Sequence, residues 1–173
     1  MRDRRAHRPA GTITRVERSP AVAPAIAFED LTPGRRFDLG RVHVDREEML
    51  AFARRFDPQP FHLDETAGAS SVFGRLAASG WFTASLWMRC YVDEVLADST
   101  ALGSPGGDEI AWPAPVFADD ELDAVLEIVA ARRSASRPSM GLVTLRATLH
   151  RGDTEVYRGR FTGMFGLRAP DAD

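Results

Sequence analysis

The sequence contains no lysine, and all 22 of its basic residues are arginine. Chemistry that needs a lysine amine is thereby excluded, including Schiff-base formation, a P-loop phosphate site and a serine–lysine dyad. Cysteine is nearly as scarce. Cys90 stands alone, so the chain can form no internal disulfide and offers no cysteine pair for zinc, and its apolar surroundings mark it as a buried thiol rather than a nucleophile. Of the four histidines, His7, His43 and His150 show no ligand spacing, so no metal site is expected. No stretch is apolar for long enough to span a bilayer, and the N-terminal region lacks the apolar core of a secretory signal. A cytoplasmic location with no membrane association is therefore expected. The formal net charge of −3 is small and predicts no nucleic-acid partner.

The 173 residues suit one domain with a core of its own. The first 25 residues carry six arginines and three prolines but few large apolar groups, a composition that cannot bury enough surface to order itself. They are predicted to form a flexible basic tail. A folded domain over 26–169 and a disordered end over 170–173 complete the expected organisation. An amphipathic transit segment over Met1–Arg18 is the weaker alternative for the tail.

Within the domain, Phe37, Leu39, Val42 and Val44 read as extended chain. Asp45 follows as a helix cap with Glu48 three residues on, and Met49, Leu50, Phe52 and Ala53 form a stripe that stops before Asp57-Pro58. Residues 57–79 then read as irregular chain with one helical turn capped by Asp64. An ordered excursion of that length is usually functional. Beyond Gly80 the chain is apolar on nearly every face, which predicts a buried helix over about residues 80–97. Ser104-Pro105-Gly106-Gly107 reads as a loop, and Leu122–Ala130, Leu142–Leu149 and Glu155–Leu167 read as strands. One buried helix followed by consecutive strands predicts an α+β domain whose antiparallel curved sheet wraps a long central helix.

The chemistry concentrates in Asp57-Pro58-Gln59-Pro60-Phe61-His62-Leu63-Asp64 and in Gly80, eighteen residues after His62. A carboxylate and an imidazole five residues apart on a proline-stiffened loop can converge on one water molecule. A helix that opens at a glycine presents backbone N–H groups and partial positive charge to a developing oxyanion. Together these are the parts that hydration of an α,β-unsaturated thioester needs. Asp64 is assigned to capping the turn that follows it.

This pattern resembles the MaoC-like dehydratases, a hotdog-fold family that includes (R)-specific enoyl-CoA hydratases. Their signature has the form D-x-N-P-x-H-x-D, and Asp57, Gln59, Pro60, His62 and Asp64 stand at its positions, followed by Ala67, Phe73-Gly74 and Ser79-Gly80. The resemblance extends from Phe28 to Arg168. It implies an enoyl-CoA hydratase or 3-hydroxyacyl-CoA dehydratase of fatty acid metabolism, acting on an acyl-CoA thioester, with coenzyme A present only as part of the substrate and no separate cofactor. Asp57 and His62 would hold the catalytic water, and the Gly80 N–H would polarise the thioester carbonyl. Gln59, Phe61, Ser79, Trp81 and Phe82 would shape the substrate pocket, and a homodimer or larger even oligomer is implied. Three positions depart from the family pattern: Gln59 replaces asparagine, Phe61 replaces an aliphatic residue, and Ser79 replaces a histidine. Two alternatives stand beside this reading: a hotdog acyl-CoA thioesterase, and a non-catalytic acyl-thioester-binding subunit of a hetero-oligomeric dehydratase.

Overall fold

The computed structural model describes residues 25–168. Residues 1–24 of the expected tail over 1–25, and the expected disordered end over 170–173, lie outside the described residues. After one 3₁₀ turn at Phe28–Asp30, strand β1 spans Arg36–His43 and helix α1 spans Arg46–Phe56. The cap is where the sequence pattern puts it: Asp45 Oδ1 accepts the Glu48 N–H at 2.8 Å, and Met49, Leu50 and Ala53 are the buried stripe.

The excursion is more ordered than its composition predicts. Pro60 opens a single helical turn, α2 (Pro60–Leu63), because proline's fixed φ and missing N–H suit a first helical position. Asp64 ends α2 and caps α3 (Glu65–Ala69), accepting the Ala67 N–H at 2.8 Å. Gly68 lets α3 lie directly on the returning chain, since a Cβ there would stand 2.5 Å from the Leu76 nitrogen. The central helix α4 follows over Gly80–Tyr91 and continues into a π-helical turn at Val92–Leu96.

Strands β2 (Ala101–Ala111), β3 (Glu121–Arg133), β4 (Met140–Arg151) and β5 (Thr154–Gly166) join β1 in one antiparallel curved sheet of order β1-β3-β4-β5-β2. Alternation decides which face meets α4. Leu122, Ala124, Leu126 and Ile128 of β3 and Val143, Leu145, Ala147 and Leu149 of β4 are all buried, as a two-residue period requires for a sheet covered on one side. Phe82, Leu86, Trp87 and Tyr91 supply the facing side of α4. Trp87 is the anchor: it is buried, and its indole N–H donates to the Val125 carbonyl of β3 at 3.0 Å, so its one polar atom is satisfied.

Two expectations are corrected. The segment Ser104–Gly107 lies inside β2 rather than in a loop. β2 is an edge strand whose pairing with β5 shifts register between Gly103 and Gly106, so Pro105 falls where no ladder hydrogen bond is needed. Nor is α4 buried on every face, because Trp81, Ser85, Met88 and Arg89 form an exposed stripe along it.

Candidate active site

Local backbone constraints bring Asp57 and His62 together. Asp57 closes α1, donating its N–H to the Ala53 carbonyl at 3.0 Å, and Pro58 prevents the helix from continuing through it. His62 sits on α2 and is only 5% exposed. Its Nδ1 lies 2.8 Å from the Ala77 carbonyl oxygen. A carbonyl can only accept, so Nδ1 carries the hydrogen and Nε2 is the ring nitrogen left for chemistry. Nε2 lies 3.5 Å from Asp57 Oδ2, beyond a good hydrogen bond and close enough for both atoms to contact one water. The Ala77 N–H in turn donates to the Phe61 carbonyl at 3.2 Å, so α2 is tied in both directions to the chain that leads into α4. Phe73 stacks on the imidazole with an interplanar angle of 23°.

Asp57 is held by two donors. The Ser79 hydroxyl donates to Oδ2 at 2.7 Å and the Gln59 amide donates to Oδ1 at 2.8 Å. Ser79 most of all, then Gln59 and the nearby His62 ring, hold the carboxyl below the usual carboxylate range against the opposing effect of burial. The longer stem of glutamine therefore still reaches the acid. Ser79 has no exposed surface, and the same hydroxyl that donates to Asp57 accepts the Trp81 N–H at 3.2 Å as the cap of α4. One side chain thus couples the carboxylate to the helix start. Gly80 follows as the first residue of α4, where its N–H has no acceptor within the helix. A Cβ at Gly80 would come within 2.7 Å of the Trp112 indole, so that ring lies directly on the helix start.

A cavity of about 610 Å³ opens over these groups. Asp57, His62 and Gly80 reach it, as do Gln59, Phe61 and Trp81. Ser79 stands behind Asp57 rather than on the wall. Phe82, expected on the wall, is placed in the core instead, buried with its ring 5.7 Å from Phe52. The helical period explains the difference, since neighbouring residues on a helix point about 100° apart. Sequence reasoning missed Phe73, Thr83 and the segment Trp112–Val116, all of which line the cavity. The Trp112-Pro113-Ala114-Pro115 stretch is a visible stiff aromatic–proline signal, yet nothing local ties it to Gly80. The pairing of β2 with β5 delivers it there.

A sheet of this order packed on one helix, with the Asp57/His62 loop at that helix's amino end, is the architecture of a hotdog domain of the dehydratase class. The MaoC like domain model matches residues 29–150. The fold is similar to the crystal structure of a MaoC-like dehydratase from Rhodospirillum rubrum, at 37% identity and a TM-score of 0.74, covering 84% of this chain and 99% of that one. It is also similar to an (R)-hydratase from A. caviae involved in PHA biosynthesis, at 25% identity and a TM-score of 0.57, covering 78% and 96%. A sequence relative is the uncharacterized protein YdeM of Bacillus subtilis (strain 168), 24% identical over 136 residues that make up 78% of this chain and 95% of that protein. The chain belongs to the MaoC-like dehydratase family. Among the described residues, no helix is long and apolar enough to cross a membrane.

Proposed function

We propose that the protein adds water to a 2-enoyl-CoA thioester and runs the reverse elimination from the 3-hydroxyacyl-CoA. The observation that carries this reading is the approach of the Asp57 carboxylate to the free ring nitrogen of His62, 3.5 Å apart in a cavity that also reaches the first residue of α4. A water held between them offers one hydrogen to each. Asp57, kept ionised by Ser79 and Gln59, is the weaker base and orients the water. His62 Nε2 takes a proton as the water oxygen bonds to C3. The C2=C3 electrons shift toward C2 and the thioester oxygen, to which the Gly80 N–H donates. The imidazolium keeps its Nδ1–H on Ala77 and faces the Asp57 charge. It then returns its proton to C2 from the same side. Water has added syn, the residues are restored, and the reaction is redox-neutral with coenzyme A entering only as part of the substrate.

Purified protein is expected to remove the enoyl absorbance of a 2-enoyl-CoA without releasing free thiol. Thiol release in its place would assign the site to a thioesterase. Ser79→Ala is expected to lower kcat/KM roughly ten- to a hundredfold by misplacing Asp57. It should also raise the pH at which the Asp57 carboxyl itself titrates, followed by NMR, because Ser79 is the largest influence lowering that carboxyl and burial opposes it. An unmoved Asp57 titration would show that Ser79 only fills space.

A homodimer or larger even assembly belongs to the same proposal. β2 ends the sheet and exposes Leu102 and Ile110, an arrangement that favours edge pairing with a second copy. A monomeric mass in light scattering would refute it.

A further inference from the structure

Trp81 and Met88 stand two turns apart on the exposed face of α4, and each shares a pocket with residues from an opposite end of β2. At one end Trp81 of α4 and Trp112, just past β2, both line the cavity that holds Asp57 and His62. At the other end Met88 and Tyr91 of α4, with Gly103 and Ser104 of β2, line a separate apolar pocket of about 120 Å³. From Trp81 to Met88 the helix advances about 10 Å. An acyl chain leaving the reacting carbons along this face of α4 would run toward the second pocket.

Trp112 is placed to stop it. Its indole lies on Gly80, and it meets the Trp81 ring nearly perpendicularly, with centroids 5.3 Å apart. Behind it Pro113 and Pro115 fix two backbone angles, and the Ala78 N–H donates to the Val116 carbonyl at 2.8 Å, so the ring is carried on a stiff, anchored segment. We propose that Trp112, braced by Trp81, limits the acyl group to a short chain by closing the reaction cavity off from the apolar pocket at Met88 and Tyr91. The inference rests on the hydratase reading and narrows its substrate class. The cavity wall narrows it further: among the described residues no arginine lines it, and beside His62 its one ionisable group is the Asp57 carboxylate, which repels a carboxylate on the acyl group. The substrate is a short, uncharged 2-enoyl thioester.

The test compares wild type, Trp112→Ala and Trp81→Ala, read on the fraction of each that keeps the wild-type mass in solution. Trp81 is 57% exposed and Trp112 38% exposed, so either can be shortened without hollowing the core. Two quantities are measured: kcat/KM for but-2-enoyl-CoA and dodec-2-enoyl-CoA, and calorimetric affinity for the saturated butanoyl and dodecanoyl thioesters, which cannot turn over. Wild type is expected to favour the short substrate by at least about tenfold, and both variants to bring that ratio toward one. A wild type that accepts the long chain equally well, or a ratio that neither variant moves, overturns the gate. Binding ratios that follow this pattern without any turnover would sustain the gate and overturn the hydratase reading, while no binding of either thioester would overturn both.

Discussion

Asp57→Asn and His62→Gln are each expected to lower kcat/KM for the enoyl thioester by about a hundred- to ten-thousandfold, the range spanned by positioned acid–base groups, with circular dichroism spectra unchanged. Asparagine keeps the size of Asp57 but can carry no negative charge beside the imidazolium. Glutamine cannot accept a proton from water. The two residues contact one water in the proposed mechanism, so their losses should not multiply: the double variant should be about as slow as the worse single one. Independent, multiplying losses would mean that the residues serve separate steps. Full activity in either single variant would remove that residue from the chemistry.

Trp87→Ala is expected to have the largest effect on stability, about 3–5 kcal/mol by denaturant unfolding. Trp87 lies on the buried side of α4, its ring packs against Tyr91, Tyr157 and Phe161, and its N–H donates to Val125. Trp87→Phe separates the two contributions, because it keeps most of the packing and leaves the Val125 carbonyl without that donor, for a loss of about 1–3 kcal/mol. The site depends on this anchor indirectly. Gly80 and Ser79 occupy the amino end of the same helix, so loosening α4 on the sheet moves the oxyanion donor relative to Asp57. Equal losses for the two variants would place the stabilisation in the hydrogen bond rather than in the ring.

How much was legible in the sequence follows from how local each signal was. The Asp45 cap, the stripe of α1 and the alternation in β3, β4 and β5 are patterns of near neighbours, and each element forms where its pattern stands. The approach of Asp57 to His62 was legible for the same reason: five residues and two prolines leave the chain few ways to turn. β2 was not, because Pro105, Gly103, Gly106 and Gly107 carry loop composition and only pairing with β5 makes them a strand. Missing β2 meant missing Trp112, which that pairing carries toward Gly80. Phe82 was misplaced by proximity in sequence to Gly80, which on a helix does not mean the same face. In the sequence Ser79 is only a departure from the family pattern, a serine where a histidine is usual. In the structure its hydroxyl holds the acid and caps the helix at once.

Hydration of a 2-enoyl-CoA in deuterium oxide, with the configuration at C2 and C3 of the product assigned by NMR, tests the shared-water mechanism most directly. Delivery of oxygen to C3 and deuterium to C2 on the same face is the expected result, because one imidazole takes the proton and returns it. Addition to opposite faces, or thiol release with no deuterium in the acyl chain, would contradict it.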